Sequence, residues 1–494
     1  MSVESKYSRY ALALAAGALL ACAFAPLGWW PLAILCPAIL MYLWQRSSPR
    51  EAAWTGFWFN VGTFAAGTYW LYISIHIFGG APIWLALIIM TALVAIMGLY
   101  HALLGYFVAR WLPKEGVLRF LVGMPAAWLL IEWWRGWFLS GFSWLSLGYS
   151  QTDTWLAHLA PVIGVYGISA CLLLSAGAVA ALLLSRQRLI PLAVLAAPWL
   201  VALALTHIEW TRPSGKPVTV AVVQGAIPQD LKWQEGNRDR TLDLYRRLSE
   251  SALGTQLIVW PEAAAPAYFH ELIDYLRPLY TEAHSHGSAL VIGILQAVAE
   301  GERTLYYNAV LSLGESVSWY HKDHLVPFAE FFPVPSFVRE WLRLKNLPSE
   351  DFTRGGAGQP PLPAAGLRLA TTICYEDAYG SSQLQVLHEA DALVNVTNDA
   401  WFAHSTARHQ HFQIARMRAI EAGRYMIRAA NDGISAIIGP QGEIVARAPQ
   451  FKPAVLRATV TPRSGLPPYV FVGNALIVLL GTLGAAIAVW RRNL

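Results

Sequence analysis

With 494 residues, 55% of them hydrophobic and only 14% charged, the chain is too apolar for an ordinary soluble protein. Its net charge of +5 is not a nucleic-acid signature, because the basic excess flanks the apolar segments and the long polar stretch is nearly balanced. Long uncharged runs instead predict a polytopic membrane protein.

Eight apolar segments, near 10–27, 29–45, 54–76, 82–109, 117–134, 160–184, 189–207 and 469–490, have the length and composition of spanning helices. Lys6 and Arg9 precede the first, and Arg46 and Arg50 follow the second. Arg110, Lys114 and Arg119 follow the fourth, Arg186 and Arg188 the sixth, and Arg491 and Arg492 the last. The connection near 76–82 carries no lysine or arginine. Basic residues on every second loop follow the positive-inside rule, which predicts cytoplasmic termini and an outer location for the polar stretch after the seventh helix. Phe24-Ala25-Pro26-Leu27 is a poor cleavage site, so the first helix reads as a retained anchor. Trp128, Trp133, Trp134, Trp137 and Trp144 read as an interfacial aromatic belt, or as part of a lipid-entry cleft. Glu132 and Arg135 are placed to pair one turn apart or to reach the interface separately.

Composition changes near Thr211-Arg212-Pro213-Ser214-Gly215. The chain is therefore expected to divide into a membrane domain over 1–212, an α/β domain over 213–465 and a last membrane helix within 466–494. Within 213–465 the predicted strands are Val218–Gln224, Leu257–Trp260, Leu290–Ile294, Asn308–Leu313, Val317–Tyr320, Leu367–Ile373, Ala392–Val396 and Ile434–Ile438. The predicted helices are Arg238–Leu253, Phe269–His286 and His409–Tyr425. Residues 331–363 mix Phe331, Phe332, Phe337 and Trp341 with Arg339, Arg343 and Lys345. They read either as a surface loop with a short core-facing helix or as a flap dipping into the lipid interface.

Cys374 is the one cysteine of the polar stretch; Cys22, Cys36 and Cys171 lie in apolar segments. A lone thiol forms no disulfide within its domain, which leaves an inert buried thiol or a nucleophile. Glu262, in Trp260-Pro261-Glu262, follows one predicted strand, Lys322 a second and Cys374 a third. A carboxylate at such a strand end would take the thiol proton, and an ammonium would stabilise the thiolate and a tetrahedral oxyanion. Strand ends often carry charged residues, so spacing alone leaves this open. His321, His324, His404, His409 and His411 do not make a metal set, because His409 and His411 are two apart and no carboxylate or cysteine cluster completes them. Neither a metal nor another cofactor is expected. Arg416 and Arg418, near Glu421, read as helix-surface or interdomain ion-pair residues.

Three motifs carry a resemblance: Trp260-Pro261-Glu262, Lys322 before His324-Leu325-Val326-Pro327-Phe328, and Cys374-Tyr375-Glu376. In this order and at these separations they resemble the nitrilase, or carbon–nitrogen hydrolase, superfamily over about 216–460. Seven helices before that region and one after it resemble the superfamily's membrane branch, the apolipoprotein N-acyltransferases. The resemblance implies a polytopic α-helical membrane domain joined to an αββα sandwich on the periplasmic side of a bacterial inner membrane. It implies that Cys374 takes the sn-1 acyl chain of a phospholipid as a thioester and passes it to the α-amine of a diacylglyceryl-modified N-terminal cysteine of an apolipoprotein. Glu262 would be the base and then the acid, and Lys322 the charge stabiliser. Glu330, Glu376, Tyr375 and Trp233 match supporting active-site positions. The expected partners are membrane lipid and lipoprotein, with no nucleic acid, and the enzyme is expected to be monomeric. The chain departs from the family's usual glycines at Ala329 and Ala403, which puts local loop geometry in doubt.

Two other readings use the same residues. A membrane-tethered amidase would employ Glu262, Lys322 and Cys374 with water as acceptor. A transporter or lipid-sensing receptor would use the outer domain only to bind, although its spans would then be expected to carry more mid-membrane charge.

Overall fold

The computed structural model describes residues 3–184, 186–331 and 351–492. It resolves into two compact units. The first comprises Met1–Glu209, Phe402–Glu421 and Pro467–Leu494, and the second Trp210–Trp401 and Ala422–Leu466. In chain order the main helices are α1 (Val3–Leu20), α2 (Leu32–Leu43), α3 (Pro49–Gly67), α4 (Ile83–Trp111), α5 (Met124–Arg135), α6 (Ala160–Leu184) and α7 (Leu189–Leu205). Then come α8 (Glu235–Ala252), α9 (Ile273–Ser285), α10 (Ala407–Ala422) and α11 (Ala475–Arg492).

In the helical unit, each predicted apolar segment coincides with a helix, but the ends move. Lys6 and Arg9, expected ahead of the first helix, lie inside α1. Lys6 Nζ is 3.7 Å from Glu51 and Arg9 donates to Ser47 Oγ, so both charges find partners at the start of α3 and before it. Ser48 and Glu51 form a capping box and Pro49 begins α3 earlier than expected. That helix stops at Gly67, and the remainder of the predicted segment becomes a π-helical turn, Ile73–Phe78. Among the described residues, three helical stretches, Ile83–Trp111, Trp155–Leu184 and Ala475–Arg492, are long and apolar enough to cross a membrane; Leu32–Leu43 and Leu189–Leu205 are apolar but shorter. α1 and α3 pack backbone to backbone through small residues. A Cβ added at Gly17 would meet the Phe59 carbonyl at 1.8 Å, and one at Gly62 the Leu14 carbonyl at 2.2 Å.

The tryptophans around α5 do not form a uniform belt. Trp128 and Trp144 are buried and only Trp137 of the five is strongly exposed. Glu132 and Arg135 are also buried. The Arg135 guanidinium donates to the carbonyls of Phe142 at 2.5 Å and Trp144 at 2.8 Å, and Glu132 accepts from the Leu147 amide. These bonds hold the irregular chain after α5.

Phe402–Glu421, which lies within the 213–465 expected for the α/β domain, clusters with the helical unit. Polar residues of α10 explain this. Gln410 accepts from the indoles of Trp144 at 2.7 Å and Trp70 at 3.3 Å and donates to the Gly67 carbonyl. Glu421 pairs with Arg418 at 2.9 Å and accepts the Val165 amide at 2.7 Å, just after Gly164 breaks α6 with φ 64°. Arg416 reaches Asp153 at 2.7 Å.

The second unit contains two six-stranded sheets. Their strands are β1 (Val218–Gln224), β2 (Leu257–Val259), β3 (Ala289–Glu300), β4 (Arg303–Leu313), β5 (Val317–His321), β6 (Leu362–Ala364), β7 (Leu367–Ile373), β8 (Ala392–Thr397), β9 (Met426–Ala430), β10 (Ala436–Ile438), β11 (Ile444–Arg447) and β12 (Ala454–Val460). One sheet runs β12-β1-β2-β3-β4-β5 and the other β11-β10-β9-β8-β7-β6. In each, three central strands are parallel: β1, β2 and β3 in the first, β7, β8 and β9 in the second. One face of each sheet meets the other in a core that includes Val220, Val222, Val259, Val291, Leu369, Ile373, Val394, Val396 and Ile427. The other face of the first sheet is covered by α8 and α9 through Tyr245, Ala252, Leu276, Leu279 and Ala283. Strands buried on both faces read as continuous apolar runs, which is why β1 and β7 agree end for end with the prediction. β6, β9, β11 and β12 were not predicted. The flap proposed for 331–363 falls largely on 332–350, outside the described residues.

β9 carries Arg428 into the interior. Its guanidinium donates to Asn395 Oδ1 at 2.6 Å, Asp377 Oδ2 at 3.1 Å and Asp399 Oδ2 at 3.2 Å. Truncating one partner of such a buried network leaves the other charges uncompensated, at a cost of about 3–5 kcal/mol. Arg428→Met is therefore expected to lower the thermal unfolding midpoint of the detergent-solubilised protein strongly. A surface change such as Arg447→Met is expected to leave it nearly unmoved.

Candidate active site

The candidate residues stand just past strand ends, three of them parallel strands and one the antiparallel edge strand β5. Pro261 and Glu262 follow β2 after Trp260, Lys322 follows β5, Cys374 follows β7 and Asn398 follows β8. Carboxyl ends of parallel strands are where open α/β sheets place their ligands. The turn after Trp260 depends on Gly293 of β3. A Cβ there would lie 2.2 Å from the Pro261 carbonyl, and the Gly293 carbonyl accepts the Ala264 amide at 2.9 Å.

Lys322 is the centre of the polar cluster. Its side chain is buried, with Nζ donating to Glu330 Oε1 at 2.8 Å and lying 3.8 Å from Glu262 Oε1. Asn308, on β4, links the two acids: its Nδ2 donates to Glu262 Oε1 at 2.7 Å and to Glu330 Oε1 at 3.0 Å. The second oxygen of Glu262 accepts the Asn398 amide at 2.9 Å, and that of Glu330 accepts the Val326 amide at 2.8 Å. Burial alone would discharge Lys322, but Glu330, Glu262 and the Cys374 sulfur outweigh it and hold the ammonium well above the usual lysine range.

Cys374 has φ 53°, a left-handed conformation that costs an L-residue about 1–2 kcal/mol. Such strain persists where the surroundings over-determine it, most often at functional sites. Burial raises the thiol well above its ordinary range, Glu262 raises it further, and Lys322 pulls in the opposite direction. At rest the sulfur therefore carries its proton, within electrostatic reach of a carboxylate and an ammonium. None of the four cysteines is in a disulfide.

Glu376 joins these segments rather than entering the Lys322 cluster. Its Oε1 accepts the amides of Asp323 at 2.7 Å and His324 at 3.0 Å. Its Oε2 accepts the Ile373 amide at 2.7 Å and the Tyr320 hydroxyl at 3.0 Å. The loop after Lys322 is thereby tied to the strand that presents Cys374. Burial pushes this carboxyl up to about 7, against the opposing effect of its amide donors and Lys322. Tyr375 packs edge-on against Tyr379, which stacks on His324 at 3.6 Å. Trp233 is half-exposed, beside the buried Lys232. At the two alanine departures, Ala403 has φ 44°, whereas beside Ala329 it is Phe328 that takes the positive angle, φ 64°. Among the described residues no three metal-ligating side chains converge.

The sequence reading left out Lys232, Asn308, Asn398 and Arg428. Asn308 and Arg428 had a usable signal, a polar residue within an otherwise apolar strand run. Lys232 sits in an ordinary Gln229-Asp230-Leu231-Lys232-Trp233 turn with nothing in the sequence to mark it as buried.

Comparison with known proteins identifies the family of the chain. The family model for the apolipoprotein N-acyltransferase N-terminal domain matches residues 16–178, and that for carbon–nitrogen hydrolase matches residues 219–465. An apolipoprotein N-acyltransferase of Methylococcus capsulatus is 41% identical over 98% of this chain and 96% of that protein. One from Pseudomonas putida is 43% identical over 93% of this chain and 92% of that protein.

The raised Glu376 pKa has a thermodynamic consequence. The folded protein keeps this proton up to about pH 7, whereas an unfolded glutamate releases it near about 4.3. Between those values the unfolded state binds fewer protons, so this group's contribution to stability falls as pH rises and levels off above about 7. Thermal unfolding of wild type across that window is expected to show the decline, and Glu376→Gln is expected to lack it. Separately, Gly293→Ala is expected to reduce activity by tenfold or more while leaving protein that still folds, measured as turnover per folded molecule.

Proposed function

The chain belongs to the apolipoprotein N-acyltransferase family, and from that premise we propose that Glu262, Lys322 and Cys374 form the catalytic triad of a two-step acyl transfer. The protein is an enzyme of the carbon–nitrogen hydrolase superfamily that N-acylates lipoproteins. The observation that carries the assignment is the closed array of Glu262, Asn308, Glu330 and Lys322 within electrostatic reach of a strained Cys374.

In the first step Glu262 takes the thiol proton as Sγ attacks the sn-1 ester carbonyl of a phospholipid. The new C–S bond forms, and the carbonyl electrons collect on an oxyanion facing the Lys322 ammonium. Collapse breaks the ester C–O bond. Glu262 returns the proton to the departing lysophospholipid alkoxide, leaving the acyl chain as a thioester on Cys374. In the second step the α-amine of a diacylglyceryl-cysteine attacks the thioester while Glu262 accepts its proton. Collapse forms the amide, expels the thiolate and restores the thiol. Lys322 is too strongly held by two carboxylates to serve as a neutral base, so its role is electrostatic. Glu330 fixes Lys322, Glu376 fixes the loop behind it, and Tyr375 and Trp233 are assigned supporting places near the site.

The proposed arrangement is an inner-membrane enzyme with eight spans, seven before the catalytic region and one after. Both termini are cytoplasmic, and the region over about 213–465 faces the periplasm. The alternation of basic loops and the helix positions support it. The proposed acting unit is a monomer.

Thioester capture tests the mechanism. Enzyme incubated with phospholipid labelled in the sn-1 acyl chain, without acceptor, is expected to hold label that neutral hydroxylamine releases. Cys374→Ala should hold none, and Glu262→Gln and Lys322→Met should label at least a hundredfold more slowly. Absence of label on folded, membrane-reconstituted wild type would overturn the phospholipid-donor step.

A further inference from the structure

Lys232 is a second buried lysine of the site, and nothing in the triad mechanism uses it. It ends the short helical turn Gln229–Lys232 and is 2% exposed. Its Nζ donates to the main-chain carbonyl of Glu262 at 3.3 Å and lies 5.8 Å from the centre of the half-exposed Trp233 ring. The turn itself is anchored. Asn398 Nδ2 donates to Gln229 Oε1 at 2.8 Å, and Asn431 brackets Ile227 by accepting its amide and donating to its carbonyl. Asn398 is also the residue whose amide holds Glu262 Oε2. Glu262 is thus gripped on its carboxylate by Asn398 and Asn308 and on its main chain by Lys232.

The charge balance gives this grip a purpose. Two carboxylates, Glu262 and Glu330, face the single ammonium of Lys322. A thiolate forming there would add another negative charge in a buried place. The 3.3 Å bond to the Glu262 carbonyl sets the Lys232 charge beside the proposed base, and Glu262, then Asp432 and the Cys374 sulfur, favour its ammonium form.

We propose that Lys232 is a positioning residue that fixes Glu262 and supplies the second positive charge against which the Cys374 thiolate forms. This rests on Cys374 being the nucleophile. Burial pulls the Lys232 ammonium down to about 8, against the opposing pull of Glu262, Asp432 and Cys374. Its charge is therefore present below about pH 8 and is lost above it.

The test follows Cys374 itself rather than turnover. Alkylation of Cys374 by iodoacetamide is followed by peptide mass spectrometry from pH 6 to 10 in full-length wild type, Lys232→Met and Lys232→Arg, with thioester labelling run beside it. Lys232→Met is expected to alkylate about tenfold more slowly than wild type below pH 8, the size of effect a nearby opposite charge exerts, and to converge on wild type above it. Lys232→Arg keeps its charge throughout. It should match wild type below pH 8 and react several-fold faster above it, where wild type has lost its cation. One profile shared by all three proteins would overturn the proposal. If Lys232→Met fails to fold, coincidence of Lys232→Arg and wild type above pH 8 overturns it alone. A shifted alkylation profile in a protein that forms no thioester would sink the phospholipid mechanism while leaving the electrostatic role of Lys232 standing.

Discussion

Keeping one ammonium charged in a dry interior is the constraint from which the site is built. Lys322 is almost wholly shielded from solvent, and a lone buried lysine would shed its proton. Two carboxylates prevent that, and each then needs partners of its own. Asn308 serves both acids with one amide group, the Asn398 and Val326 amides take the remaining oxygens, and the Lys322 main chain is tied back to the Asn308 carbonyl at 2.8 Å. Segments from β2, β4, β5, β8 and the loop after Lys322 are drawn together because each satisfies part of a single electrostatic requirement.

Backbone strain follows the same outline. Besides Ala365 and Phe451, which lie in turns between strands, the described residues of the second unit with positive φ at a non-glycine position are Ala226, Ala263, Phe328 and Cys374. These residues border, in turn, the Lys232 turn, Glu262, Glu330 and the Ile373–Glu376 hydrogen bond. Strand ends that must aim a side chain into a shared pocket cannot all leave their sheets in relaxed conformations. The two sheets, packed through Val220, Val222, Val259, Leu369, Val394 and Val396, supply the rigidity that holds those ends in place.

Much of this was legible in the sequence where a local signal existed. β1 and β7 are continuous apolar runs, and Glu262, Lys322 and Cys374 stand directly after strands whose periodicity is plain. What escaped was set by tertiary partners. β9 starts just past the predicted helix His409–Tyr425 and has no predicted strand of its own, and Arg428 within it is compatible with a strand interior only because Asn395, Asp377 and Asp399 wait for it. Lys232 has the sequence of a surface turn and the surroundings of a core residue. Trp128 and Trp144 look like interface tryptophans by composition and are buried because aromatic and polar groups of α3, α4 and α10 close over them. The ends of α1 shifted for a related reason, since Lys6 and Arg9 are accommodated by Glu51 and Ser47.

The placement of α10 bears on the order in which the chain is assembled. The polypeptide passes between its two units four times, and Phe402–Glu421 returns to the helical unit long after α1 to α7 have been made. Gln410 meets Trp70 across 340 positions of sequence and Trp144 across 266, while Glu421 meets Val165 across 256. Contacts of such long range close late, because the loop entropy must be overcome before they form. Until then the indoles of Trp70 and Trp144 and the broken turn at Gly164 lack the partners that the finished protein gives them. Completion of the helical unit is therefore conditional on synthesis of most of the second unit. A version of this protein cut at the apparent domain boundary would leave both pieces chemically unfinished.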